Sequence, residues 1–296
     1  MFFNKKILLH IGYPKCLSTY LQKNIFPNIC KLKNIDYINK KQSLNKFRDL
    51  FESIHKKKVV EKKFINNFEN KTLFSHEGLI NFEESYNPNN PKLLFDYFSN
   101  NALILIVIKK PSDLYKSNFI QKFMELKFLN FNDYQNHTDH RKFNIFKDIK
   151  SYSYYFNNIV VVKQETLLDN YDFYKNLFEL SNQEFLQIVK DRVIKNKSFS
   201  NYAIKFTLKI DKFLNIFGYS IQKYDLFIRS VHTKSTSPLM KKITKYLIWR
   251  FLIQDIFDKF FSRKKYELKI DINLKAYFNN LDIEYEKFPS YLHIMK

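Results

Sequence analysis

Along the first two hundred residues, short apolar runs alternate with stretches in which apolar residues recur every three or four positions. Residues 6–11 read as a short buried strand, followed by a loop over 12–17 and a helix over 18–31. Residues 36–38 form a second short strand and 43–57 a basic helix. A third strand, 72–75, runs into His-Glu-Gly, and 90–98 reads as a helix behind Pro88 and Pro91. The run Ala-Leu-Ile-Leu-Ile-Val-Ile, 102–108, is continuous in the way of strands buried on both faces of a parallel sheet. A helix opens at Pro111, a good first-turn residue. Another strand covers 159–163, and a helix follows Asp169. This alternation predicts an α/β fold with a mainly parallel central sheet flanked by helices. After Asn196 the pattern turns helical, aromatic and basic, with no clear buried strand until the last thirty residues. The expected organisation is therefore a catalytic core over 1–200 and a helical C-terminal region over 201–296 packed onto it.

Composition narrows the classes. A chain of 296 residues favours one large domain, or one domain with an appendage, and 45% hydrophobic with 18% aromatic residues excludes global disorder. Fifty Lys and Arg against twenty-nine Asp and Glu give a net charge of +21, which suits an anionic partner. The chain is also saturated with Lys, Asn, Ile, Phe and Tyr, the signature of AT-rich coding, so charge does not choose among partners. Cys16 and Cys30 make neither a disulfide framework nor a zinc motif and fit a reducing cytoplasm. The longest strongly apolar run is too short to span a bilayer, and the first residues lack the features of a cleaved signal. The expectation is a cytoplasmic protein that begins at Met1. Residues 239–261 have an amphipathic pattern that suits packing against the core, or peripheral contact with the inner face of a membrane. His137 and His140, in His-Thr-Asp-His, lie in a polar stretch that reads as solvated surface rather than a metal site.

The chemistry concentrates after the first strand. The segment His-Ile-Gly-Tyr-Pro-Lys-Cys-Leu-Ser-Thr-Tyr-Leu-Gln, 10–22, is a strand, a turn and a helix with hydroxyls in its first turn. Such a turn offers unpaired backbone N–H groups and the positive end of a helix to an anion. Lys15 adds a charge, and Ser18 and Thr19 add donors. No Gly-Lys pair occurs in the chain, which argues against an ordinary nucleotide-binding loop and a standard kinase or ATPase. The segment resembles instead the 5′-phosphosulfate loop of the sulfotransferases that use PAPS (3′-phosphoadenosine 5′-phosphosulfate), Pro-Lys-x-Gly-Thr-Thr-x-Leu. Pro14, Lys15, Ser18, Thr19 and Leu21 fall in register, Cys16 fills the variable place, and Leu17 stands where the family has Gly.

A second segment resembles the family's 3′-phosphate site, where an Arg ends a buried strand, Pro follows two residues later and Ser eight residues after the Arg. Lys109, Pro111 and Ser117 reproduce that spacing, and Lys in place of Arg exchanges a bidentate fork for a point charge. Phe-Ser-His-Glu-Gly-Leu, 74–79, resembles the Ser-x-Glu of bacterial-type members. The resemblance implies the P-loop-like sulfotransferase fold, PAPS as sulfuryl donor, no metal, and a hydroxyl acceptor on a glycan or glycolipid. It implies that Lys15 stabilises the leaving phosphate, that Pro14 to Thr19, Lys109 and Ser117 bind the cofactor, and that Glu77, with His76 second, is the general base. The alternatives are a non-enzymatic anion- or nucleic-acid-binding protein, although no specific nucleic-acid motif is present, and a nucleotide kinase on a related scaffold.

Overall fold

The structure is a computed structural model, and it describes residues 5–13, 16–38, 70–77, 79–80, 89–190, 201–234, 237 and 268–295. Six strands form one sheet: β1 (Ile7–Gly12), β2 (Asp36–Ile38), β3 (Thr72–Glu77), β4 (Ala102–Ile108), β5 (Asn158–Lys163) and β6 (Tyr291–Met295). Their spatial order is β2-β3-β1-β4-β5-β6. The first five run parallel, and β6 closes the β5 edge antiparallel. Every residue of β1 and β4 is buried, the outcome expected of apolar runs with a helix layer on each face. The α/β class and the mainly parallel sheet read from the sequence are the ones observed.

One face carries helix α1, which is made of Ser18–Tyr20, a π turn at Leu21–Ile25 and Phe26–Leu32. Pro27 explains the wide turn: it has no N–H to give the carbonyl four residues back, and the helix opens just before it. Phe26 of α1 packs edge-on to His10 of β1, with ring centres 5.2 Å apart. The other face carries α2 (Asn90–Phe98) and α5 (Ile145–Tyr155), joined by the Phe95–Phe156 ring contact, while Phe74 of β3 meets Phe98. Between α2 and α5 the chain forms α3 (Pro111–Met124) and α4 (Phe131–His137).

After β5 come α6 (Thr166–Asp169), α7 (Tyr171–Phe178), α8 (Asn182–Lys190), α9 (Asn201–Ile216), α10 (Ile221–Lys234) and α11 (Ile272–Lys287). Among the described residues, the C-terminal region is thus helical before β6, as its pattern predicts. The compact units, however, do not follow one break at residue 200. One unit is Met1–Leu114, His140–Asn196 and Tyr277–Lys296, and the other is Tyr115–Asp139 with Lys197–Ala276. The physical reason is β6: its ladder to β5 holds the last residues in the sheet-bearing unit. Among the described residues, no helix is long and apolar enough to cross a membrane. Residues 239–261, the amphipathic stretch, and 43–57, the predicted basic helix, lie outside the described residues.

Candidate functional site

The strand order creates one crevice by topology. The chain leaves β1 toward β2 on one side and leaves β4 toward β5 on the other, although β1 and β4 are hydrogen-bonded neighbours. Loops that part in opposite directions open a gap at the carboxyl ends of the two strands, where ligands of open α/β sheets bind. Gly12 and Val107 are paired at that end. The two segments that resemble the sulfotransferase anchors therefore flank the same crevice: the loop after β1, and Lys109 just after β4.

The β1 loop is anchored from below. Tyr13 is fully buried, and its hydroxyl donates to the Asp148 carboxylate on α5 in a short hydrogen bond. Burial pushes the Asp148 carboxyl up to about 7, against the lowering pull of the Tyr13 hydroxyl and of Lys147. The Tyr13 carbonyl accepts from Cys16 N at 3.3 Å and, weakly, from Ser18 Oγ at 3.4 Å. Cys16 and Ser18 are buried, and Leu17 and Thr19 are half-buried. Pro14 and Lys15 lie outside the described residues.

Leu17 has φ 58° and ψ 11°, a left-handed backbone that suits glycine and strains a branched side chain. Gly12 answers a different need. A methyl group there would stand 2.8 Å from Ser18 Oγ and 3.1 Å from His10 Nε2, so the bare backbone is what lets both side chains lie against the strand.

His10 is fully buried between β1, β3 and α1, and burial drops its pKa to about 3, so the imidazole is neutral. Its Nδ1 lies 2.7 Å from Ser75 Oγ on β3, which also accepts from Gln22 Nε2 of α1 at 3.2 Å. Among the described residues, its Nε2 has no hydrogen-bond partner. The parallel register makes this cluster, since His10 is paired with Ser75.

Of the two base candidates, Glu77 is the last residue of β3, in register with Gly12, and its side chain lies outside what is described. His76 is buried at 6% exposure and shares the sheet face of Phe74, opposite that of Ser75 and His10.

The β4 end is closed by the chain's own acids. Lys109 is half-buried at the strand's end. Lys110 pairs with Glu286 of α11 at 2.8 Å, and Asp282 of α11 accepts from Ser112 N at 3.1 Å, capping the first turn of α3. One turn on, the Tyr285 hydroxyl donates to Glu165 (2.8 and 2.9 Å to its two oxygens), and Lys163 Nζ lies 4.8 Å over the Tyr285 ring. Burial, ahead of the Glu165 carboxylate, drives the Tyr285 hydroxyl well above its ordinary range. Ser117 lies further along α3, in the second unit. Among the described residues, no group of three or more His, Cys, Asp or Glu is placed to hold a metal. His137 instead packs its Nδ1 on the Asp133 carbonyl, and His140 sits edge-on to Tyr277.

The sequence pattern singles out the two loops but not His10, Ser75, Asp148 or the acids of α11. A histidine inside an apolar strand was the one visible signal.

No family model and no curated protein matches the chain. Among solved structures it is similar to shikimate kinase from Bacteroides thetaiotaomicron, at 12% identity over 62% of this chain and 98% of that one, with a TM-score of 0.28. That superposition is too loose to carry residue roles from one chain to the other.

Proposed function

We propose that the protein transfers a sulfuryl group from PAPS to a hydroxyl on a glycan or glycolipid. The observation that carries this reading is the backbone of Leu17. It is left-handed at the one position of the loop where the sulfotransferase pattern has glycine. The loop's shape thus supports the resemblance at the very place where the sequence departs from it. Its position at the crevice between β1 and β4 supports the same reading.

In this mechanism Ser18, Thr19 and the first amides of α1 hold the 5′-phosphate of the donor. The acceptor oxygen attacks sulfur while the bond from sulfur to the bridging phosphate oxygen breaks. Lys15 stabilises the negative charge that gathers on that leaving oxygen. Glu77 takes the acceptor's proton, so the products are a sulfate ester and 3′,5′-bisphosphoadenosine (PAP). Lys109 binds the 3′-phosphate as a single charge, with Lys110 committed to Glu286.

Calorimetry with PAP tests the reading. PAP is expected to bind with one-to-one stoichiometry and to resist moderate salt, and Lys15→Ala and Lys109→Ala are each expected to weaken it about tenfold. In a PAPS-dependent transfer assay across glycans and lipid-linked sugars, Glu77→Gln is expected to lower turnover about a hundredfold with PAP affinity unchanged. Binding of ATP in preference to PAP would replace this reading with a kinase. Binding that salt abolishes would leave only a general affinity for anions.

A further inference from the structure

We infer that His10 is a positioning residue of the β1 cradle: its Nε2–H donates to Ser18 Oγ when an anion binds, and so aims the Ser18 proton at a phosphate oxygen. The inference rests on the reading of the β1 loop as the phosphosulfate cradle.

The direction of the chain of bonds follows from what each group can do. The Gln22 amide nitrogen only donates, and it gives a hydrogen to Ser75 Oγ at 3.2 Å. The single proton of Ser75 then goes to its closest partner, His10 Nδ1, at 2.7 Å. A neutral imidazole that accepts at Nδ1 carries its hydrogen on Nε2. That N–H is buried and has no partner among the described residues, a costly state for a polar group in a protein core. It faces the space beside Gly12 that Ser18 Oγ also faces, each atom about 3 Å from where a Cβ would be.

In the structure Ser18 Oγ leans on the Tyr13 carbonyl at 3.4 Å, a weak bond that is easily given up. An anion at the start of α1 draws the Ser18 proton to itself. The hydroxyl oxygen is then an acceptor beside the waiting Nε2–H. Gln22, Ser75, His10 and Ser18 would form one chain of bonds polarised in a single direction, each strengthening the next. Burial keeps the imidazole neutral, so the relay brings orientation without a second charge. The other tautomer has the opposite consequence: a bare Nε2 would take the Ser18 proton and turn the hydroxyl away from the anion.

The full-length protein, labelled with 15N in histidine, tests this by NMR, with His10 assigned by loss of its signals in His10→Gln. The expected spectrum is that of the Nε2–H tautomer, and inorganic pyrophosphate should move the Nε2 resonance. By calorimetry, Ser75→Ala is expected to weaken pyrophosphate about fivefold and Ser75→Thr, which keeps the hydroxyl, to restore it. In a Ser18→Ala background Ser75→Ala should add nothing. An Nδ1–H tautomer overturns the inference. So does an equal loss in both backgrounds, which would mark Ser75 as merely structural. If PAP binds tightly but Ser75→Ala has no effect, His10 has no such role and the sulfotransferase reading stands. If the relay behaves as expected but PAP binds no better than pyrophosphate, that reading falls and the role of His10 remains. Binding of neither ligand overturns both.

Discussion

At the end of β1 a buried imidazole nitrogen has no partner among the described residues and the backbone is held in a left-handed turn. At the neighbouring end of β4, a lysine and a helix-capping amide are already satisfied by Glu286 and Asp282. The two strand ends meet at one crevice, yet at one His10 Nε2 has no hydrogen bond among the described residues, while at the other Lys110 and Ser112 N are paired internally. The contrast teaches where a ligand's binding energy comes from. Groups without a partner inside the protein gain fully from a ligand, whereas groups with an internal partner gain only the difference between two partners. The β1 loop is therefore expected to contribute more to anion binding than the Lys109 segment.

The largest expected effect comes from Asp148, which holds Tyr13 at the root of the β1 loop. Its folded pKa, about 7, lies above the ordinary carboxylate value, so the folded protein keeps a proton that the unfolded chain releases. This group lowers stability as pH rises from about 4 to about 7, by up to about 1.4 kcal/mol per unit. His10 runs the other way: its pKa is depressed to about 3, so its contribution is complete above the ordinary histidine value and is lost as the solution becomes more acidic. Between about pH 4 and 6.5 the two slopes oppose each other. Asp148→Asn keeps an acceptor for the Tyr13 hydroxyl and removes one slope. Thermal melts of the variant should fall steeply from pH 6.5 to 4 where those of the natural chain stay flatter. Identical profiles would mean that Asp148 is not the titrating partner of Tyr13.

Gly12→Ala comes next and breaks the β1 end directly. The added methyl meets Ser18 Oγ at 2.8 Å, and the His10 ring behind it is pinned by Ser75. Ser18 must rotate away or the strand must shift, at a cost of about 1–3 kcal/mol of stability. Pyrophosphate affinity should fall with it, because the hydroxyl leaves its place. A variant that melts and binds like the natural chain would show that the close approach is not needed.

The same residues show what a single sequence reveals. The strands were legible because parallel strands buried on both faces leave uninterrupted apolar runs, and 102–108 is such a run with matching bounds in the structure. The β1 loop stands out because its candidate residues lie within ten consecutive positions. His10 and Ser75 do not, because they are 65 residues apart and only the β1–β3 register joins them. Asp148 lies in a charged stretch that reads as solvent-facing, and it is Tyr13, 135 positions away, that accounts for its burial. Asp282 and Glu286 sit on a helix that the aromatic-basic pattern after residue 200 gave no reason to place over Lys110 and Ser112.

Asp282→Ala tests the β4 side. It removes the acceptor from Ser112 N and uncaps α3, which should cost about 1 kcal/mol, read as a lower melting temperature. It also returns the first turn of α3 to solvent, so PAP affinity should rise severalfold, while a ligand without a 3′-phosphate should be unaffected. Weaker PAP binding would mean that the carboxylate orders the site rather than competes for it.

The smallest effect is expected at Leu17. Glycine relieves the left-handed backbone by about 1 kcal/mol. Against this, glycine adds about 0.5–1 kcal/mol of freedom to the unfolded chain, and the half-buried leucine side chain is lost. These terms nearly cancel, so Leu17→Gly should change stability by less than about 1 kcal/mol. Leu17→Ala gives up the side chain while keeping the strain and should be the less stable of the two. The order of the two melting temperatures, rather than either shift, is the informative result. Alanine above glycine would mean that this position does not need a positive φ, and the loop would lose its likeness to the phosphosulfate-binding turn. Glycine above alanine, with PAP bound a few times more tightly than by the natural chain, would show that the leucine narrows the approach of the phosphate without changing the shape of the turn that receives it.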